Sequence, residues 1–166
     1  MNTMMHWRAL TTLDLPAVET IAAAVHPDFP EDLAVLAERQ RLYPEGARLL
    51  ELDGKPSGYI LSHPWHFKAL PELNTMLGAI PEDTNTYYLH DVALLPAARG
   101  TGAAAMIVGD ILRHARTAGF PNVSLVAVNG SLPFWYKHGF RAVQAPELAE
   151  KLASYEGAAR LMVKLV

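Results

Sequence analysis

The apolar positions of the chain change period several times, and each change marks an element. Met5 to Leu10 reads as a short strand. Leu15, Val18, Ile21, Ala22 and Val25 then recur at helical spacing, with Asp14 placed to cap the helix and Pro16 in its first turn. A second helix is predicted over 31–43, ended by Pro44 and Gly46. ARLLELDGKPSGYILSHPW holds two apolar runs around Asp53 and Gly54, which predicts a hairpin. From Pro64 to Thr86 prolines and aromatics follow without a sustained period. A long loop is expected there, with a turn of helix near Leu73 to Leu77, and long ordered loops are often functional.

The second half alternates strand and helix. YYLHDVALL at 87–95 predicts a strand. Ala104, Ile107, Val108, Ile111, Leu112 and Ala115 form one stripe of a helix from Gly102 to Ala118, ended by Gly119. NVSLVAV at 122–128 is continuously apolar and β-branched, the pattern of a buried strand. SLPFWYKHGF at 131–140 predicts a short helix closed by Gly139. The remainder predicts a strand, a short helix and a last apolar strand ending at Val166. Such alternation after an opening hairpin indicates a mixed-sheet α/β fold.

Composition bounds this picture. With 166 residues, 51% apolar, the chain suits one domain over 1–166. No apolar run of about 18 residues and no secretory pattern is seen, so the expected location is cytoplasmic, away from membranes. Zero cysteines excludes disulfides, thiol nucleophiles and thiolate metal sites. Charge divides unevenly: residues 1–98 carry thirteen acidic and six basic side chains, net −7, whereas 99–146 carry five basic groups against Asp110, net +4. A basic half can hold an anion and an acidic half can draw a cation. Without a basic, aromatic-laced cluster, nucleic acid is not an expected partner.

LLPAARGTGAAAMIVG at 94–109 puts Arg99, Gly100 and Gly102 where a strand becomes a helix. A helix N-terminus has unpaired N–H groups and the positive dipole end, and glycines let phosphate approach. A nucleoside triphosphate loop requires Lys and Ser/Thr after the second glycine, but Gly102 is followed by Ala103, Ala104, Ala105 and Met106. The dinucleotide pattern Gly100-x-Gly102-x-x-Ala105 lacks its ribose-binding acid, since after Asp110 the next acid is Glu147. His63 and His66, three positions apart, together with His90 invite a metal reading, but no HExxH helix or suitably spaced carboxylate accompanies them, so no metal is expected. No G-x-S-x-G elbow is present.

Arg99-Gly100-Thr101-Gly102-Ala103-Ala104 resembles the pyrophosphate loop of the Gcn5-related N-acetyltransferase (GNAT) superfamily. HDVALLP before it resembles that family's fourth strand. Asn129 and FWYKHGF at 134–140 resemble its second signature. The resemblance covers 87–140 and implies a single mixed, mostly antiparallel central sheet flanked by helices. It implies acetyl-CoA as co-substrate, held by backbone N–H groups from Arg99 to Ala104, by the strand at Leu94 and Leu95, and by Asn129. It also implies direct transfer of an acetyl group to a primary amine in a ternary complex.

A lysine-like amine is neutral in only about one molecule in 2,500 at pH 7, so a base is needed. The fourth strand offers His90 first and Asp91 second. Strand alternation sets these two on opposite faces unless a bulge intervenes. By the same resemblance, Tyr136 protonates the leaving thiolate. Trp65, Phe67, Glu72, Glu82 and Asp83 on the long loop suit a cationic or aromatic amine. The acceptor is a small-molecule or peptide amine, and a homodimer stays open. The rival reading is a non-catalytic acyl-CoA-binding sensor module.

Overall fold

The computed structural model describes residues 4–166. Seven strands form one sheet in the order β1-β2-β3-β4-β5-β7-β6, where β1 is Met5–Ala9, β2 Ala47–Leu52, β3 Lys55–Trp65, β4 Thr86–Leu94, β5 Asn122–Ala127, β6 Arg141–Ala142 and β7 Arg160–Leu165. Every neighbouring pair is antiparallel except β4 and β5. The sheet is thus mixed and mostly antiparallel, as the resemblance implies.

Helices cover both faces. On one, α1 (Leu15–Val25) and α2 (Leu33–Leu42) set Val18, Ile21 and Leu36 against Leu49, Tyr59, Leu61 and Ala93. On the other, α3 (Ala103–Thr117) sets Ile107, Val108, Ile111 and Ala115 against Ile60, Tyr87, Leu89, Val123 and Leu125. Burying one such side chain contributes about 1.5–3 kcal/mol. Residues of β3 therefore serve two cores by strict alternation, with Ile60 facing α3 and its neighbours facing α1.

Two local expectations change. Asp14 does not cap α1; its carboxylate binds Arg8 from β1 at 2.7 and 2.9 Å and accepts the Thr11 N–H at 2.8 Å. Arg8 also donates to Glu51 of β2, so this guanidinium ties the strand edge to the helix entry. Residues 73–77 form no helical turn. Asn74 is left-handed (φ 54), and Glu38 of α2 takes the Leu77 and Gly78 N–H groups at 2.6 and 3.0 Å, while buried Arg39 donates to the Thr75 carbonyl. No helix among the described residues is long and apolar enough to cross a membrane.

Candidate active site

The site begins with one extra residue. On β3 and β4, Leu61 pairs Asp91 and Ser62 pairs Leu89, which leaves His90 unmatched as a β-bulge. A bulge bends its strand and resets the alternation. His90 and Asp91 consequently lie on the same face, toward α1: Asp91 is bonded to Tyr59 and to His26 at the end of α1, and His90 to Glu31 in the loop before α2. Alternation alone would have separated them.

The bend also parts two strands. Pairing of β4 with β5 is confined to Tyr87 with Val123 and Tyr88 with Ser124, and beyond that point the strands diverge. Between them opens a cavity of about 640 Å³. Leu89 to Val92 and Leu94 line one side, Leu125, Val126, Val128 and Asn129 the other, and the start of α3 closes one end.

That end is made of backbone. Gly100 (φ 74) and Gly102 (φ 86) are both left-handed, the region that disfavours side chains, although a Cβ on either would meet nothing within 4 Å. Conformation rather than crowding therefore calls for glycine. Gly102 is the residue before α3 and has no side chain to cap it; first-turn Ala103, Ala104 and Ala105 line the cavity. The Thr101 hydroxyl turns inward, donating to the Ala98 carbonyl at 2.6 Å and accepting from Ala103 N–H at 3.3 Å. Arg99 and Lys137 bring positive charge to the lining. An open turn, the helix N-terminus beyond Ala103 and two cations fit a pyrophosphate.

The opposite end is made of side chains. His90 Nε2 lies 3.1 Å from Glu31 Oε1, both side chains 8% exposed. Burial alone would raise the Glu31 carboxyl; the His90 hydrogen bond and charge and the Arg39 guanidinium outweigh it and hold it below its ordinary value. An ionised carboxylate only accepts, so Nε2 bears a proton toward Glu31, and in a neutral ring the lone pair would lie on Nδ1, which has no hydrogen-bond partner among the described residues. His26 differs. Its Nε2 lies 2.8 Å from Asp91 Oδ1 and its Nδ1 is 3.2 Å from the Asn129 amide nitrogen, so both ring nitrogens are engaged. Burial pushes His26 down, but the Asp91 hydrogen bond and charge reverse this and leave it raised.

Leu94, Arg99, Gly100, Gly102, Ala103, Ala104, Asn129, His90 and Asp91 share the one cavity. Thr101 supports the turn from within. Leu95 lies outside the lining, its N–H spent on the Ser57 carbonyl and its carbonyl on the Ala98 N–H. Tyr136 is also outside it: the ring is 41% exposed, and the Arg141 guanidinium sits 5.9 Å from its centre. Its neighbour Trp135, buried and with its indole N–H on Ser131, faces the cavity instead. Of the loop residues expected at the acceptor side, Glu72 lines a second, smaller cavity behind His90, whereas Asp83 pairs with His66 at the surface. Sequence reasoning missed His26, Glu31 and Tyr59, which lie 65, 59 and 32 residues from their partners and carry no local signature.

A splayed mixed sheet with a glycine turn feeding the helix after its fourth strand is the GNAT fold. The model described as Acetyltransferase (GNAT) family matches residues 7–140, and the chain belongs to that family. No curated protein sequence matches it. Among solved structures it is similar to Ard1 from Thermoplasma volcanium (17% identity, 98% of this chain and 97% of that one, TM-score 0.73). It is also similar to Arabidopsis thaliana Naa50 in complex with the bisubstrate analogue CoA-Ac-MVNAL (12%, 96% and 97%, 0.72). A third is the GphF GNAT-like decarboxylase in complex with isobutyryl-CoA (18%, 96% and 98%, 0.75). At these identities the likeness is one of fold.

Proposed function

We propose that this chain is an N-acetyltransferase that moves acetyl from acetyl-CoA to a primary amine by direct attack in a ternary complex. The observation that carries the reading is one cavity running from the glycine turn to the oriented His90–Glu31 pair. Solved proteins of the same fold in complex with CoA derivatives support it.

In this reading the turn N–H groups from Gly100 to Ala104, with the side chains of Arg99 and Lys137, hold the pyrophosphate; the Arg99 N–H is donated to the Pro96 carbonyl. The β4 edge at Leu94, left without a β5 partner, and Asn129 flank the pantetheine arm; an extended chain can add to such an edge through backbone hydrogen bonds. His90 Nδ1 takes a proton from the amine, whose nitrogen attacks the thioester carbon; the C–S bond breaks and sulfur leaves with the electron pair. Glu31 orients the ring and stabilises its charge. Asp91 holds structure, because Tyr59 occupies one of its oxygens and His26 the other. A thiol has a pKa of about 8.5, so its anion departs with little help, and the reading assigns Tyr136 no necessary role.

Thermal unfolding with acetyl-CoA, against NADH and ATP controls, tests the coenzyme site. At a hundred times its Kd, a ligand adds about 2.7 kcal/mol, and the midpoint rises by roughly 5 to 10 °C. A shift with acetyl-CoA alone, followed by CoA release on adding amines, is expected. A larger shift with NADH would reopen the dinucleotide reading, and binding without CoA release for any amine would favour the acyl-CoA sensor.

A further inference from the structure

Glu31 is held at both of its carboxylate oxygens. Oε1 lies 3.1 Å from His90 Nε2, and Oε2 accepts the Asn74 backbone N–H at 3.3 Å. Asn74 returns the contact, since its side-chain Oδ1 accepts the Asp32 N–H at 2.6 Å. A backbone N–H can only donate, which settles that the carboxamide oxygen faces it. Residues 31–32 and 74, which lie 42 and 43 positions apart, are thus locked by a reciprocal pair of hydrogen bonds.

The lock depends on left-handed backbone at Asn74 (φ 54). Asn is one of the few residues other than glycine that enter this region readily. Asn74 is exposed and lines neither cavity, so its place is not explained by burial or by direct contact with a ligand there. Its neighbours are anchored on α2: buried Glu38 accepts the Leu77 and Gly78 N–H groups, and buried Arg39 donates to the Thr75 carbonyl. Earlier in the same loop, Leu70 is buried in a cluster with Tyr88 and Leu161. The connection from β3 to β4 therefore has a defined place beside Glu31.

Resting on the acetyltransferase reading, we infer that Asn74 is a positioning residue for the base, fixing the orientation and tautomer of His90 through Glu31 from outside the cavity. A carboxylate bound at one oxygen only is free to turn about its last side-chain bond, a torsion with broad, shallow minima. The Asn74 N–H removes that freedom by engaging Oε2, which leaves Oε1 to accept from His90 Nε2. With the Nε2 proton so fixed, the lone pair of the neutral ring stays on Nδ1. Once the tie is lost, Glu31 turns and the ring follows, and a displacement of about 1 Å at a reacting group costs up to about 10² in rate.

The test is a double-mutant cycle on CoA release at saturating acetyl-CoA and amine, with Asn74→Ala and Glu31→Gln made singly and together. Alanine disfavours left-handed backbone and offers no acceptor to Asp32, so both bonds of the lock go. Asn74→Ala is expected to lower kcat about 10- to 100-fold while the acetyl-CoA Kd stays within about twofold. Asn74→Gly, which keeps the left-handed backbone and its N–H, should return kcat to within about threefold of the parent. In the Glu31→Gln background there is no carboxylate left to orient, and Asn74→Ala should change kcat by less than about twofold. A loop residue with a merely structural role loses the same factor in both backgrounds. That result, a glycine variant as slow as the alanine one, or Asn74→Ala within about twofold of the parent overturns the inference and leaves the acetyltransferase reading standing. No CoA release by the parent with any amine overturns the acetyltransferase reading and this inference with it.

Discussion

The two ends of the cavity are built from different materials. At the proposed coenzyme end the candidate binding groups are backbone: two left-handed glycines and the first turn of α3, drawn from one contiguous stretch, 99–105. At the proposed acceptor end they are side chains gathered from the loops at 26–31 and 66–85, from β4 and its bulge, from the end of β5 and from residue 155. A phosphate needs N–H groups, which every sequence can present once its turn is right. An amine needs a base, and a base needs an orienting partner, which only tertiary packing can bring. The coenzyme end should therefore respond to conformation, and the acceptor end to charge and volume.

Removing His90, the proposed base, is the sharpest way to break this contrast. His90→Ala is expected to lower kcat by about 10² to 10⁴ while the acetyl-CoA Kd, by calorimetry, stays within twofold. A comparable loss in Asp91→Asn with His90→Ala nearly active would move the base to Asp91. On the opposite end, Gly102→Val forces a β-branched residue to φ 86, a strain of about 1–3 kcal/mol, so the Kd should weaken roughly 10- to 100-fold with kcat at saturation little changed.

Acid should act on the acceptor end through His63. Its ring is buried beside Tyr88 and His90, and burial pushes its pKa down to about 3, with Nε2 left without a partner. The unfolded chain takes up that proton near pH 6.5 and the folded one does not. Stability is therefore unaffected above about 6.5 and is lost as pH falls toward 3, with a slope of up to about 1.4 kcal/mol per pH unit. Urea unfolding across pH 4 to 7 measures this, and His63→Gln should flatten the slope. Least affected should be Tyr136→Phe: with the ring exposed and outside the cavity, turnover is expected within twofold of the parent. A tenfold loss would mean that the hydroxyl reaches the thioester during turnover.

Much of the fold was readable along the chain because its signals are local. The α3 stripe, the Asp53-Gly54 hairpin and the continuous apolar run of β5 each occupy fewer than twenty consecutive residues, and each forms within a few positions of the expected bounds. The glycine turn was legible for the same reason. Asp14 and residues 73–77 depart from expectation because distant groups outcompete the local preference: Arg8 claims the carboxylate that would cap α1, and Glu38 claims N–H groups that a helical turn would use.

The sequence by itself determined the family, the mixed sheet and the place where β4 turns through glycines into α3, since period, turn chemistry and a contiguous motif need no knowledge of what lies across the fold. Only the tertiary structure decided that His90 and Asp91 share a face, that Glu31 and His26 are their partners, and that Trp135 rather than Tyr136 faces the cavity. The physical reason is that a one-residue bulge reverses every later side chain in a strand, and that hydrogen bonds spanning some sixty residues follow from packing, which no local pattern records.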